Sequence, residues 1–176
     1  DIDAAVAGAV RNRFYNCGQV CTSAKRILVS ENITDQFLAK ASAAVEKLTV
    51  GNGLEKVAMG PLNNPGQRTA VAGAVETILE HDLGTLVCGG KPLSGDGNFY
   101  APTLLSGVVP DAVREEIFGP VMSVIPFHTL DEAVEIANGT PYGLGASVWT
   151  RDLHTAYTCA EQIRAGVVWV NKHLIL

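Results

Sequence analysis

Two cysteines four residues apart, Cys17 and Cys21, enclose a glycine and an amide side chain in the run Asn16-Cys17-Gly18-Gln19-Val20-Cys21. A cysteine thiolate is a strong nucleophile and a good acyl carrier, so an accessible thiol in a turn is a candidate for covalent catalysis. Gly18 has no Cβ, which permits an unusual backbone shape and a close approach by a substrate or cofactor. Gln19 offers an amide for positioning. Lys25 and Arg26 follow within a few residues, where positive charge favours the thiolate. The opposite reading is equally physical: free cysteine is among the most buried residue types and packs as a small apolar side chain. Local chemistry leaves both readings of Cys21 open, and it leaves Cys17 as either a resolving thiol or core packing. A second cluster, Glu115-Glu116-Ile117-Phe118-Gly119-Pro120, offers a carboxylate acceptor in Glu116 and an aromatic surface in Phe118. Taken alone, these read as an exposed loop carboxylate and a core aromatic.

Other chemistries lack their spacing. The cysteines Cys17, Cys21, Cys88 and Cys159 make no CxxC pair, and the scattered His81, His128, His154 and His173 make no familiar ligand set, so no metal site is expected. No GxGxxG stands after a strand, and Gly89-Gly90-Lys91-Pro92 fails the phosphate-loop spacing.

The elements that must position these residues follow from caps and periodicity. Asp1 or Asp3 caps a helix through about Phe14, with Val6, Val10 and Phe14 on one face. Ile27-Leu28-Val29 reads as a strand, and a second helix is expected after Thr34 or Asp35, running toward Leu48. Asn64-Pro65 opens a third helix striped by Val71, Val75, Ile78 and Leu79. Leu86-Val87-Cys88 reads as a strand, and 91–98 as an exposed loop rich in Gly and Pro. Val121–Phe127 is a strand, and Thr129-Leu130-Asp131-Glu132 a capping box opening a helix to Asn138-Gly139. Ala146–Trp149 is a strand, Asp152 caps a helix ending at Gly166, and Val167–Val170 is a final strand. Strands alternating with helices predict an α/β fold: a mainly parallel open sheet with helices on both faces.

The chain has 176 residues, 47% hydrophobic and 18% charged, which suits one soluble domain with its own core. Thirteen basic against 18 acidic residues give a net charge of -5, and no basic cluster exceeds a pair, so no nucleic-acid partner is expected. No apolar run reaches the ~20 residues of a spanning helix, and the N-terminus has no basic signal-peptide start, so neither a membrane nor secretion is expected, and the location reads as cytoplasmic.

The whole run Phe14-Tyr15-Asn16-Cys17-Gly18-Gln19-Val20-Cys21, continuing to Arg26, resembles the cysteine signature of the aldehyde dehydrogenase superfamily. Glu115–Pro120 resembles that family's Glu-x-Phe-Gly-Pro motif. Asn138 with Tyr142-Gly143-Leu144-Gly145-Ala146-Ser147-Val148-Trp149-Thr150, together with Gly60-Pro61-Leu62, 97–103 and 166–171, matches further family blocks in the same order. The resemblance implies that Cys21 is a nucleophile attacking an aldehyde carbon. It implies a thiohemiacetal, hydride transfer to NAD or NADP, and a thioester hydrolysed by water. It assigns part of the oxyanion stabilisation to the Cys21 N–H, the nicotinamide-ribose hydroxyls to Glu116, and the nicotinamide side to Phe118. It also implies a homodimer or homotetramer in the full-length enzyme. Residues 1–176 would be the cysteine-bearing catalytic domain. The coenzyme domain, the general-base glutamate, the oxyanion asparagine and the C-terminal oligomerisation segment would lie elsewhere, and the isolated chain is expected to be inactive. Two alternatives stay open: an acylating relative that releases acyl-CoA or acyl-phosphate, and a non-catalytic α/β domain kept for binding or assembly.

Overall fold

Helix α1 (Ile2–Phe14) starts at its cap, the Asp1 carboxylate accepting from the backbone N–H groups of Asp3 and Ala4. Its buried face carries Val6, Ala9, Val10 and Phe14, the expected stripe, with Arg13 among them. The structure, a computed structural model, describes residues 1–173. A 3-10 turn (Tyr15–Gly18) leads from α1 toward strand β1 (Arg26–Ser30), helix α2 (Glu31–Val45) and helix α3 (Pro65–Glu80). Strands β2 (Thr85–Cys88), β3 (Thr103–Ser106) and β4 (Val121–Phe127) follow, then α4 (Leu130–Asn138), β5 (Gly145–Val148), α5 (Leu153–Gln162) and β6 (Val167–Val170).

The main sheet has the order β1-β4-β3-β2, with β1 and β3 both parallel to β4 and β2 antiparallel to β3. Val121 through Ile125 of β4 are all buried, so alternate side chains are covered on both faces, as a central strand of a helix-flanked sheet requires. Helices α1 and α2 pack on each other and on β4, and α2 also on β1 and β3. The expected open α/β sheet is therefore present, in mixed form and in two pieces, because β5 and β6 pair in parallel as a separate ribbon. Gly8 ties that ribbon to α1, since a β-carbon there would lie 2.5 Å from the indole of Trp149.

Several boundaries differ from expectation. β3 was not anticipated as a strand; it is four residues long and follows Pro102 directly. Because β2 reaches β3 through a loop with no helix, antiparallel pairing is the geometry available to it. Helix α2 begins at Glu31, directly after β1, and not at Thr34 or Asp35; the Thr34 hydroxyl donates back to the Ser30 carbonyl (3.0 Å), inside the helix. α5 ends at Gln162, where Ile163 turns extended, short of Gly166. At α4 the Thr129 hydroxyl oxygen accepts from Glu132 N–H as foreseen, but the Glu132 carboxylate accepts from His128 N–H (2.7 Å), one residue before the cap. Among the described residues, no helix is long and apolar enough to cross a membrane.

Candidate active site

Cys21 lies in the turn between the 3-10 segment and β1, and Phe118 in the loop before β4. The parallel register pairs Arg26 with Ser123, each five residues further along, so the two loops emerge together at the amino ends of adjacent strands. This is the end opposite to the one at which open α/β sheets usually hold ligands.

The backbone before Cys21 is left-handed at three successive residues: Asn16 at φ 49°, Cys17 at 58° and Gly18 at 70°. For the two non-glycine residues this costs about 1–2 kcal/mol each. Gly18 has the backbone shape expected of it, at φ 70°, and its missing β-carbon also makes room for the second loop: a β-carbon at Gly18 would lie 2.2 Å from the Gly119 carbonyl oxygen. Gly119 in turn lies under Val71 of α3, whose Cγ2 would be 2.4 Å from an added β-carbon.

Four side chains hold the second loop, Tyr142 among them through its hydroxyl, which donates to the Glu115 carboxylate (3.0 Å). The fully buried Arg13 donates through Nη2 to the carbonyls of Ile117 (3.0 Å) and Gly119. Gln67 of α3 donates to the Phe118 carbonyl (2.7 Å). Lys25 pairs with the Glu116 carboxylate, Nζ to Oε1, at 2.7 Å. Burial pushes the Arg13 guanidinium down to about 10, against the opposing pull of Glu116 and the Cys17 thiol, so it remains cationic at neutral pH. Lys25 also donates to the Cys21 carbonyl (2.8 Å) and the Val20 carbonyl (3.1 Å), tying the first loop to the second. Arg26, paired with Lys25 in the sequence reading as a charge near the thiol, instead donates to the Ile136 carbonyl (2.8 Å). Gln19 is spent on the fold: its Oε1 accepts from Asn63 N–H (2.8 Å).

Cys21 is exposed, and with Lys25, Glu116, Tyr142, Trp149 and His173 it borders a cavity of about 680 Å³. That volume is in the range of small-molecule sites. Among the described residues the Cys21 N–H has no hydrogen-bond partner, which leaves it available to an oxyanion. His173, beyond the end of β6, reaches the carbonyl of Thr22 (2.7 Å). That oxygen can only accept, so His173 Nε2 donates, and the Ser147 hydroxyl completes the pair at Nδ1 (3.1 Å). Glu116 is exposed and Phe118 half-buried, with Lys25 Nζ 6.0 Å from the Phe118 ring centre. A partly exposed carboxylate and a partly open ring, on a loop that Lys25 ties to the Cys21 carbonyl, have the chemistry to accept from sugar hydroxyls and to lie against a flat ring.

Cys17 belongs to the core. It is 1% exposed, and burial pushes its thiol up to about 12 despite the Arg13 charge. Burial also raises Cys88 and Cys159. Brief iodoacetamide treatment is therefore expected to alkylate Cys21 before Cys88 and Cys159, and to leave Cys17 untouched even at mildly alkaline pH, because the thiolate is the reacting form. Peptide mapping by mass spectrometry reads the order. Labelling of Cys21 no faster than that of Cys88 or Cys159 would remove it as the accessible thiol.

The supporting residues Arg13, Gln67 and His173 were not anticipated. Arg13 alone left a visible signal: at i+3 from Val10 and i+7 from Val6 it occupies the apolar stripe of α1, where a charged side chain needs a buried partner.

Residues 1–176 match the sequence profile described as the Aldehyde dehydrogenase family. The chain is 39% identical to a betaine aldehyde dehydrogenase of Mesorhizobium japonicum, over 98% of this chain and 37% of that protein. It is 37% identical to the rat cytosolic aldehyde dehydrogenase 1, over 100% of this chain and 36% of that protein. Among solved structures, the NAD-dependent aldehyde dehydrogenase of Sinorhizobium meliloti superposes with a TM-score of 0.96 at 37% identity, covering 100% of this chain and 36% of the other. The chain thus spans little more than a third of the length of these relatives.

Proposed function

Because the chain belongs to the aldehyde dehydrogenase family, we propose that Cys21 is the nucleophile of an NAD- or NADP-dependent oxidation of an aldehyde to a carboxylic acid. The observation that carries this reading is that Lys25 joins the Glu116 carboxylate to the backbone carbonyl of Cys21, whose residue is exposed, and that all three residues line one cavity. The Cys21 thiolate adds to the aldehyde carbon and forms a thiohemiacetal, whose oxyanion lies within reach of the free Cys21 N–H. The nicotinamide, when bound, supplies the hydride acceptor. Loss of hydride leaves a thioester on Cys21, which water cleaves to the acid and the free thiol. Glu116 accepts hydrogen bonds from the ribose hydroxyls and so sets where the ring lies, and Phe118 forms a wall beside it. In the complete enzyme the substrate is an aldehyde and the assembly a homodimer or homotetramer.

The test uses the protein at its full encoded length, with NAD+ or NADP+ and a panel of aldehydes, following the reduced cofactor by stopped flow. A burst that needs Cys21 is expected, and Glu116→Gln should slow it by about 10–100-fold with little change in cofactor affinity, since small misplacements of reacting groups are kinetically costly. No cofactor reduction with any aldehyde, or a burst that survives Cys21→Ala, would sink the nucleophile assignment. An unchanged burst rate in Glu116→Gln would remove the ribose assignment alone.

A further inference from the structure

We infer that Lys25 is a positioning residue that fixes the distance between the Cys21 sulfur and the ring gripped by Glu116; this rests on the roles proposed above for those two residues. Four acceptors surround the Lys25 ammonium: the carboxylate of Glu116 at 2.7 Å and the carbonyls of Cys21 at 2.8 Å, Val20 at 3.1 Å and Ser23 at 3.4 Å. An ammonium has three N–H donors, and the shortest contacts divide between the two loops. One goes to the nucleophile's own carbonyl and the other to the carboxylate proposed to hold the cofactor. The side chains are only 19% and 29% exposed, so this pair is less screened than a surface ion pair.

Other cations near the site do different work. Arg13 holds backbone carbonyls of the second loop from beneath, and Arg26 is turned to the Ile136 carbonyl. Lys25 alone among these joins the reactive residue to Glu116. Its contact is to Oε1, and the carboxylate has a second oxygen for a ribose hydroxyl, so the pair and the ribose grip are compatible. The turn 20–23 also keeps a backbone bond of its own, Ser23 N–H to the Val20 carbonyl at 3.0 Å. Removing Lys25 therefore frees Glu116 to swing while the thiol stays in its turn.

Hydride transfer is the step sensitive to that swing, because the reacting atoms must sit about 3–3.5 Å apart. Lys25→Met, which keeps the stem and removes the charge, is expected to slow the burst of reduced cofactor by about 100-fold in the full-length protein. The fraction of Cys21 that titrates as the reactive thiol should stay unchanged. A deuterium isotope effect should be fully expressed with the aldehyde deuterated at its reacting carbon. Lys25→Met combined with Glu116→Gln should be no slower than the slower single variant, since both act through one carboxylate. Lys25→Gln provides a second variant that retains donors for the carbonyls.

An unchanged burst rate in Lys25→Met overturns the proposal. So does a loss confined to amplitude in both Lys25 variants, which would mean a structural role, and so does a double variant slowed by the product of the single effects. If Glu116→Gln slows the burst and Lys25→Met does not, the Lys25 role alone fails. If Glu116→Gln has no effect, the ribose reading fails and this proposal fails with it.

Discussion

Gly18→Ala is expected to lower the melting temperature of the chain by roughly 6–12 °C, corresponding to a loss of about 3 kcal/mol at the 2–4 °C per kcal/mol usual for domains of this size. Two effects add. Alanine at φ 70° meets the left-handed penalty of about 1–2 kcal/mol. Its β-carbon then falls 2.2 Å from the Gly119 carbonyl oxygen, 2.6 Å from the carbonyl carbon and 2.7 Å from Arg13 Nη2. None of these is the free end of a flexible surface side chain. Two are backbone, and the third is a buried guanidinium already bonded to that backbone. The second loop must therefore move, at the ~1–3 kcal/mol typical of overpacking. Because that loop carries Glu116 and Phe118, Gly18→Ala should also uncouple Cys21 from them, and the burst of cofactor reduction should fall more than the folded fraction does. Circular dichroism melting and titration of the reactive thiol measure the two separately. A variant melting within about 2 °C of the parent, less than ~1 kcal/mol, would mean that the loops are not in contact at Gly18.

This contact shows where sequence reading stops. Helix starts are local events, in which a side chain meets an N–H two or three residues on. Asp1 or Asp3, Thr129 and Asp152 were accordingly legible as caps and Asn64-Pro65 as a helix start, and Asp1, Asn64, Thr129 and Asp152 accept the capping bonds. The start of α2 was not legible, because no side chain caps it: Ser30 precedes the helix without a capping bond. β3 escaped because a four-residue strand carries too few residues for periodicity, and its identity comes from pairing with β4. In the site, the residue types of Cys21, Glu116 and Phe118 carried their chemistry on their face and in family motifs. Their convergence is set by the parallel register of β1 and β4, and register depends on the whole sheet. The long-range ties, Gln19 to Asn63 N–H and Gln67 to the Phe118 carbonyl, join residues 44 and 51 positions apart and leave no local pattern.

Arg13 is the point at which stability and site geometry compete, and two substitutions separate them. The guanidinium is fully buried, and only Nη2 makes hydrogen bonds; Nε and Nη1 have no partner among the described residues. A buried charge with unsatisfied donors is a poor stabiliser compared with an apolar side chain of similar volume. Its removal, however, takes a charge-assisted hydrogen bond from each of the carbonyls of Ile117 and Gly119, at about 1.5–3 kcal/mol each, although Gly119 N–H and Val121 N–H still donate to them. Arg13→Ala also leaves the volume empty, and the combined loss is expected to be about 3–5 kcal/mol. That corresponds to a fall of roughly 6–20 °C in melting temperature. Arg13→Met keeps most of the volume and relieves the buried charge, so it should melt distinctly above Arg13→Ala. In both variants the 116–119 loop loses its grip from below, and the burst of cofactor reduction per titrated Cys21 should slow by about 10-fold or more, as expected for a misplaced ring. Thermal melts of the two variants beside the parent, together with stopped-flow bursts in the full-length protein, give both readouts. If Arg13→Ala melts with the parent, the guanidinium is not what holds the two carbonyls. If Arg13→Met equals the parent in burst rate, the loop that carries Glu116 is held by Gln67, Lys25 and Tyr142 without it.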